Sequence, residues 1–165
     1  MTDDLKPSKA RLVDRLRELL REDHAAAERL ARDTAEAANH PEAKPENDKD
    51  TRKIELSYLA AGQAARAQEL EAAFGRVSAL QFRSYTDRDA LEVGALVTLD
   101  YGDKERRVLL CPAGGGLKLS DDHGDVSVIT LQSPLGRELL GKRVGDSLEL
   151  TVEGRLREIE VIGVE

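Results

Sequence analysis

Tryptophan is absent from the 165 residues, and two Phe with three Tyr are the only aromatic side chains. An aromatic share of 3% beside a charged share of 35% is lean for one globular core. It suits a long exposed helical element joined to a compact domain. A single cysteine excludes an internal disulfide framework and any multi-cysteine zinc site. That residue, Cys111, closes the apolar run "VLLC", where a buried and inert thiol is expected. No apolar stretch reaches the ~18–20 residues that span a bilayer, and "MTDDLKPSK" has none of the apolar character of a secretory signal. The expectation is a soluble, cytoplasmic protein. Excess positive charge is also missing: the formal net charge is −7, which excludes non-specific duplex DNA binding by phosphate neutralisation. Any work on nucleic acid would run through another protein.

Glycine and proline are missing from Ser8 to Asn39, a stretch rich in Ala, Leu, Arg and Glu. Leu12, Leu16, Leu19, Ala26, Leu30 and Ala37 recur at coiled-coil-like spacing, so a first helix with a thinning apolar seam is expected here. At 1.5 Å per residue it would be about 45–50 Å long. Pro41 and Pro45 stop it. Asn47 or Asp48 can cap a second helix running to Phe74, with Gly75 ending it. The second seam reads Leu56, Ala60, Gln63, Ala67, Leu70 and Phe74. Two helices of similar length joined by a short break pack antiparallel. The break, with Glu42, Glu46, Asp48 and Asp50, then lies at the tip of the stalk.

Beyond the connector "RVSALQFRSYTDRDALEV" the pattern switches to alternation, with turn signals at "YGDK", "PAGGG" and "DDHGD". Strands are predicted near 95–100, 106–111, 116–120 and 126–131. "SPLGRELLG" reads as a short helix with Ser133 as N-cap, Pro134 in its first position and Gly141 past its end. Leu139 and Leu140 are expected to pack that helix on the sheet. "SLELTVEG" and "REIEVIGV" supply two closing strands. The fold class is α+β: an N-terminal antiparallel two-helix coiled coil and a small antiparallel β domain with one short helix. The expected divisions are 1–76 for the finger with its tip at 40–50, 77–93 for a linker, and 94–165 for the C-terminal domain.

The residues offer no free-standing catalytic constellation. "PAGGG" is not followed by a helix or a Lys-Ser/Thr pair, so it is a turn and not a phosphate cradle. His123 in "SDDHGD" reads as part of a hairpin turn, and His24 and His40 have no third partner.

"SPLGRELLGKRVGDSLEL" at 133–150 resembles the C-terminal domain of the GreA/GreB family of bacterial transcript-cleavage factors, which carries a Ser-Pro helix start, a Gly end and then K-x-x-G-D into a strand. "GALVTLDYGD" and "EIEVIGVE" stand where that family places its first and last strands, and "PENDKD" keeps the family's tip Glu-Asn as Glu46-Asn47. Two departures mark a divergent branch. Pro41-Glu42 stands where the family has Gly-Asp, and Asp48-Lys49-Asp50 follows the Glu-Asn.

The resemblance implies an FKBP-like C-terminal domain and a finger that enters the secondary channel of RNA polymerase. There Glu46 and Asp48, backed by Asp50 and Glu42, would help hold an Mg²⁺ shared with the polymerase active site, so that backtracked RNA is hydrolysed. The protein would then be an accessory factor and not itself an enzyme, meeting nascent RNA only indirectly. Ser133, Pro134, Leu135 and Arg137 match the segment implied to lie near the polymerase contact. The alternative is a relative that occupies the channel without cleavage and regulates or inhibits the polymerase. A prolyl isomerase needs an aromatic-lined pocket, whereas no aromatic follows Tyr101. A plain coiled-coil adaptor is the remaining reading.

Overall fold

The computed structural model describes residues 6–39, 52–152 and 154–165. Two long helices, α1 (Pro7–Asn39) and α2 (Arg52–Ala79), form a helical hairpin. They precede β1 (Leu96–Asp100), β2 (Glu105–Leu110), β3 (Lys118–Asp121), β4 (Gly124–Ile129), α3 (Pro134–Leu139), β5 (Ser147–Val152) and β6 (Arg155–Val164). The chain divides into two compact units: Glu18–Gly75, and Met1–Arg17 together with Arg76–Glu165. The first turns of α1 therefore belong with the β domain.

The buried stripe of α1 differs from the expected seam. Leu12, Val13, Leu16, Leu20 and Ala38 are buried, whereas Ala26 and Ala37 are exposed, Leu19 is only half-buried and Leu30 is 50% exposed. From Leu16 the stripe runs through Leu20, His24, Ala27, Ala31, Ala35 and Ala38, in steps of four, four, three, four, four and three. That mean, about 3.7 residues, lies close to the 3.6 of an undistorted helix and away from the 3.5 of a heptad seam. In α2 the expected seam holds: Ala67 and Leu70 are buried, and Leu56, Ala60, Gln63 and Phe74 are partly so.

Gly75 does not end α2, which continues to Ala79. Glycine inside a helix costs about 1 kcal/mol. Full burial of Val77 in the added turn returns about 1.5–3 kcal/mol, so packing outweighs propensity. The proposed cap at Asn47 or Asp48 lies outside the described residues.

The sheet order is β3-β4-β2-β1-β6-β5. Neighbours pair antiparallel except β2 and β4, which run parallel. Leaving β2, the chain runs out to the edge as β3, and the β3–β4 hairpin brings it back alongside. The expected fold class holds with this one parallel pair added. One face of the sheet buries Val97, Leu99, Leu148, Ile159 and Val161 together with Leu139 of α3. Leu140 is 49% exposed, contrary to expectation: its backbone is extended (φ −60°, ψ 125°), which takes it off the helical face.

Candidate functional site

Two groups of residues carry the functional expectations. The acids Glu42, Glu46, Asp48 and Asp50 lie outside the described residues, as does His40. The described ends of the hairpin, Asn39 and Arg52, bracket them in sequence. Among the described residues no group of three or more His, Cys, Asp or Glu is arranged to hold a metal ion.

The second group surrounds α3 and is held firmly. Ser133 caps the helix: its Oγ accepts from the Gly136 N–H at 3.0 Å and donates to the Thr130 carbonyl at 2.8 Å. Pro134 follows in the first turn, where its missing N–H costs nothing. A Cβ on Gly136 would sit 2.1 Å from the Thr130 carbonyl oxygen, so only glycine allows this approach of helix to strand end. Gly141, with φ +81°, turns the chain away. Its N–H donates to the Leu91 carbonyl at 2.8 Å, and the Leu91 N–H donates to the Lys142 carbonyl at 2.7 Å. These bonds stitch the connector to the end of α3.

The four expected contact residues therefore divide. Ser133 spends its hydroxyl on the cap, and Leu135 is partly buried against the core. Pro134 and Arg137 are exposed, and Arg137 Nη1 donates to the Gln132 carbonyl at 2.9 Å. Leu140, which sequence reasoning assigned to the core, joins these two on the exposed side. Only its dihedral angles mark it, since Leu139-Leu140 reads as a uniform apolar pair.

Cys111 is fully buried, and burial pushes its thiol up to about 12, so it is an inert core residue as expected. His123 lies in the β3–β4 turn, where its N–H donates to Asp121 Oδ1 at 2.9 Å. No helix among the described residues is long and apolar enough to cross a membrane.

Residues 86–165 match the family model "Transcription elongation factor, GreA/GreB, C-term". The chain is 26% identical over 144 residues to the transcription elongation factor GreA of Rickettsia prowazekii, covering 86% of this chain and 82% of that protein. It is 26% identical over 161 residues to GreA of Trichlorobacter lovleyi, covering 96% and 93%. The crystal structure of GreA factor homolog 1 of Thermus thermophilus aligns with 97% of this chain and 96% of its own, at 23% identity and a TM-score of 0.37. Residues 86–165 thus match the C-terminal domain of the GreA/GreB transcription elongation factors, and the chain as a whole is similar to GreA.

Proposed function

We propose that this protein binds RNA polymerase and acts through the tip of its helical hairpin inside the secondary channel, stimulating cleavage of backtracked RNA. One observation carries the reading. A GreA/GreB C-terminal domain shares the chain with a two-helix hairpin whose described ends flank a twelve-residue stretch holding Glu42, Glu46, Asp48 and Asp50.

The donor chemistry suits the task. Mg²⁺ takes oxygen ligands and is commonly held by one or two carboxylates with water and phosphate. Glu46 and Asp48 would hold such an ion jointly with the polymerase, and bound there it would neutralise charge developing on the phosphodiester. Asp50 and Glu42 would add negative potential. Pro134, Arg137 and Leu140 offer an exposed contact beside α3, with Ser133 and Leu135 holding the helix that presents them. The chain thus acts as an accessory factor to the nuclease activity of its partner.

A second reading, occupancy of the channel without cleavage, is favoured by a specific feature: Lys44 and Lys49 alternate with the acids, and Arg52 and Lys53 follow. Cations at this spacing oppose metal capture. A stalled, backtracked elongation complex with labelled RNA decides between the two. Release of 3′ fragments by the wild type, lost in Glu46→Ala/Asp48→Ala while polymerase affinity is kept, establishes cleavage. Altered elongation without fragment release establishes the second reading, and no effect on polymerase at all overturns both.

A further inference from the structure

Lys9 is fully buried, and among the described residues no other charged or polar residue is buried as a whole. Its Nζ donates to the main-chain oxygen of Arg83 at 2.6 Å and to that of Glu165 at 2.6 Å, and it stands 4.8 Å from the centre of the Tyr85 ring. Three separate segments thus meet one ammonium: the first turn of α1, the irregular connector after α2, and the residue following β6. The connector and the residue after β6 are each anchored independently of Lys9. Glu165 exchanges backbone hydrogen bonds with Leu96 of β1 at 2.8 and 3.0 Å. The Arg83 guanidinium lies 3.9 Å from the same Tyr85 ring and pairs with Asp89 at 3.8 Å and Glu92 at 3.5 Å.

Apolar contact alone would hold α1 here at lower cost, since an ammonium in a dry site loses its hydration. What apolar contact does not fix is register. Leu12, Val13 and Leu16 slide past apolar neighbours with little directional penalty, whereas two charge-assisted hydrogen bonds at fixed main-chain oxygens admit one position. A slip of one helical turn would move α1 by about 5.4 Å along its axis and leave the ammonium buried without partners. We propose that Lys9 is a register latch, fixing the turn at which α1 docks on the β domain, and that opening it frees the base of α1 while the sheet stays folded. Its value to the protein rests on the proposed action on polymerase, because a finger must reach a set depth.

Hydrogen–deuterium exchange on the full chain tests the latch. Lys9→Met keeps the length and apolarity of the side chain and removes its donors. Exchange at residues 7–17 and 80–85 should rise at least tenfold, with β1, β2 and β6 changing less than twofold. Leu12→Ala removes packing from the same turn without touching the latch, and should leave residues 80–85 unchanged. Unchanged exchange in Lys9→Met, uniform loss of protection across the sheet, or the same pattern in Leu12→Ala would each overturn the latch. With polymerase, Lys9→Met should raise the concentration for half-maximal effect at least tenfold at an unchanged maximum; a lowered maximum at an unchanged half-point would contradict the positioning role. If the wild type has no effect on polymerase, the proposed function fails and the exchange result still decides the latch.

Discussion

Arg107 and Asp121 form a bidentate ion pair across an intervening strand. Nη1 and Nη2 of the arginine on β2 reach Oδ1 and Oδ2 of the aspartate on β3 at 2.5 and 2.9 Å, with β4 lying between. The two side chains are 13% and 2% exposed. Fork-to-fork geometry in a dry setting makes this a pair whose rupture is expensive, because the surviving charge stays buried without a partner.

Asp121→Asn should therefore destabilise the β domain by about 3 kcal/mol, read from the midpoint of urea unfolding. The Arg107 hydrogen bonds hold the Asp121 carboxyl below its ordinary value of 3.8, against the opposing effect of burial. A depressed folded value gives a contribution that is complete above pH 3.8 and is lost as the pH falls below it. The wild type should lose stability in that acid range more steeply than Asp121→Asn. Parallel acid-unfolding curves would refute the buried pair.

Lys9 predicts the opposite end of the pH scale. Burial lowers its ammonium from 10.5 to about 8, partly countered by Glu165 and Cys111 and reinforced by Arg83 and Lys6. Between those values the unfolded chain binds more protons than the folded one, so this group makes stability rise with pH from about 8 upward. Cys111 works the other way above pH 9, because its folded thiol titrates only at about 12. The difference in melting temperature between wild type and Lys9→Met isolates the lysine, and should widen in favour of the wild type from about pH 8 to 10. A flat difference would show that the ammonium is solvated.

Gly62 and Gly75 sit inside α2, exposed, with nothing within 4 Å of the place a Cβ would take. Replacing either by alanine should stabilise the protein by about 0.5–1 kcal/mol, through reduced freedom of the unfolded chain. Calorimetry should show a higher melting temperature for each. A drop for Gly75→Ala would mean that α2 does end where sequence alone places its stop.

Gly136 should respond in the opposite sense. The clash of an added Cβ with the Thr130 carbonyl forces α3 away from the strand end and breaks the Ser133 cap, a loss of about 1–3 kcal/mol. Gly136→Ala should also weaken binding to polymerase if the surface beside α3 is the contact. Measuring both quantities in one variant tests the site and the packing together.

Local chemistry made part of this fold readable in advance. Ser133, Pro134 and Gly141 announce α3 because capping is settled within a few residues, and Leu56 through Phe74 announce the stripe of α2 because its heptad steps have one apolar solution. In α1 the abundance of Leu and Ala permits several stripes offset by one position, and only the facing surface selects Leu20 over Leu19. The acids of residues 40–51 stand between the two helices in sequence and lie outside the described residues. Lys9 was not legible, since a lysine in the first turn of a charged helix looks like every other solvent-facing lysine.

What the sequence determined by itself are the features decided over a turn or a strand: element type, the Ser133 cap of α3 and the turn at Gly141. Tertiary structure decided the rest: α2 running through Gly75 to bury Val77, the parallel placing of β4 that lets Arg107 reach Asp121, and the three main-chain oxygen and ring contacts that collect around Lys9. The reason is range. A cap or an alternating pattern draws its energy from neighbours within about four residues, whereas burial and buried charge draw theirs from residues as far apart as Lys9 and Glu165, which only the folded chain brings together.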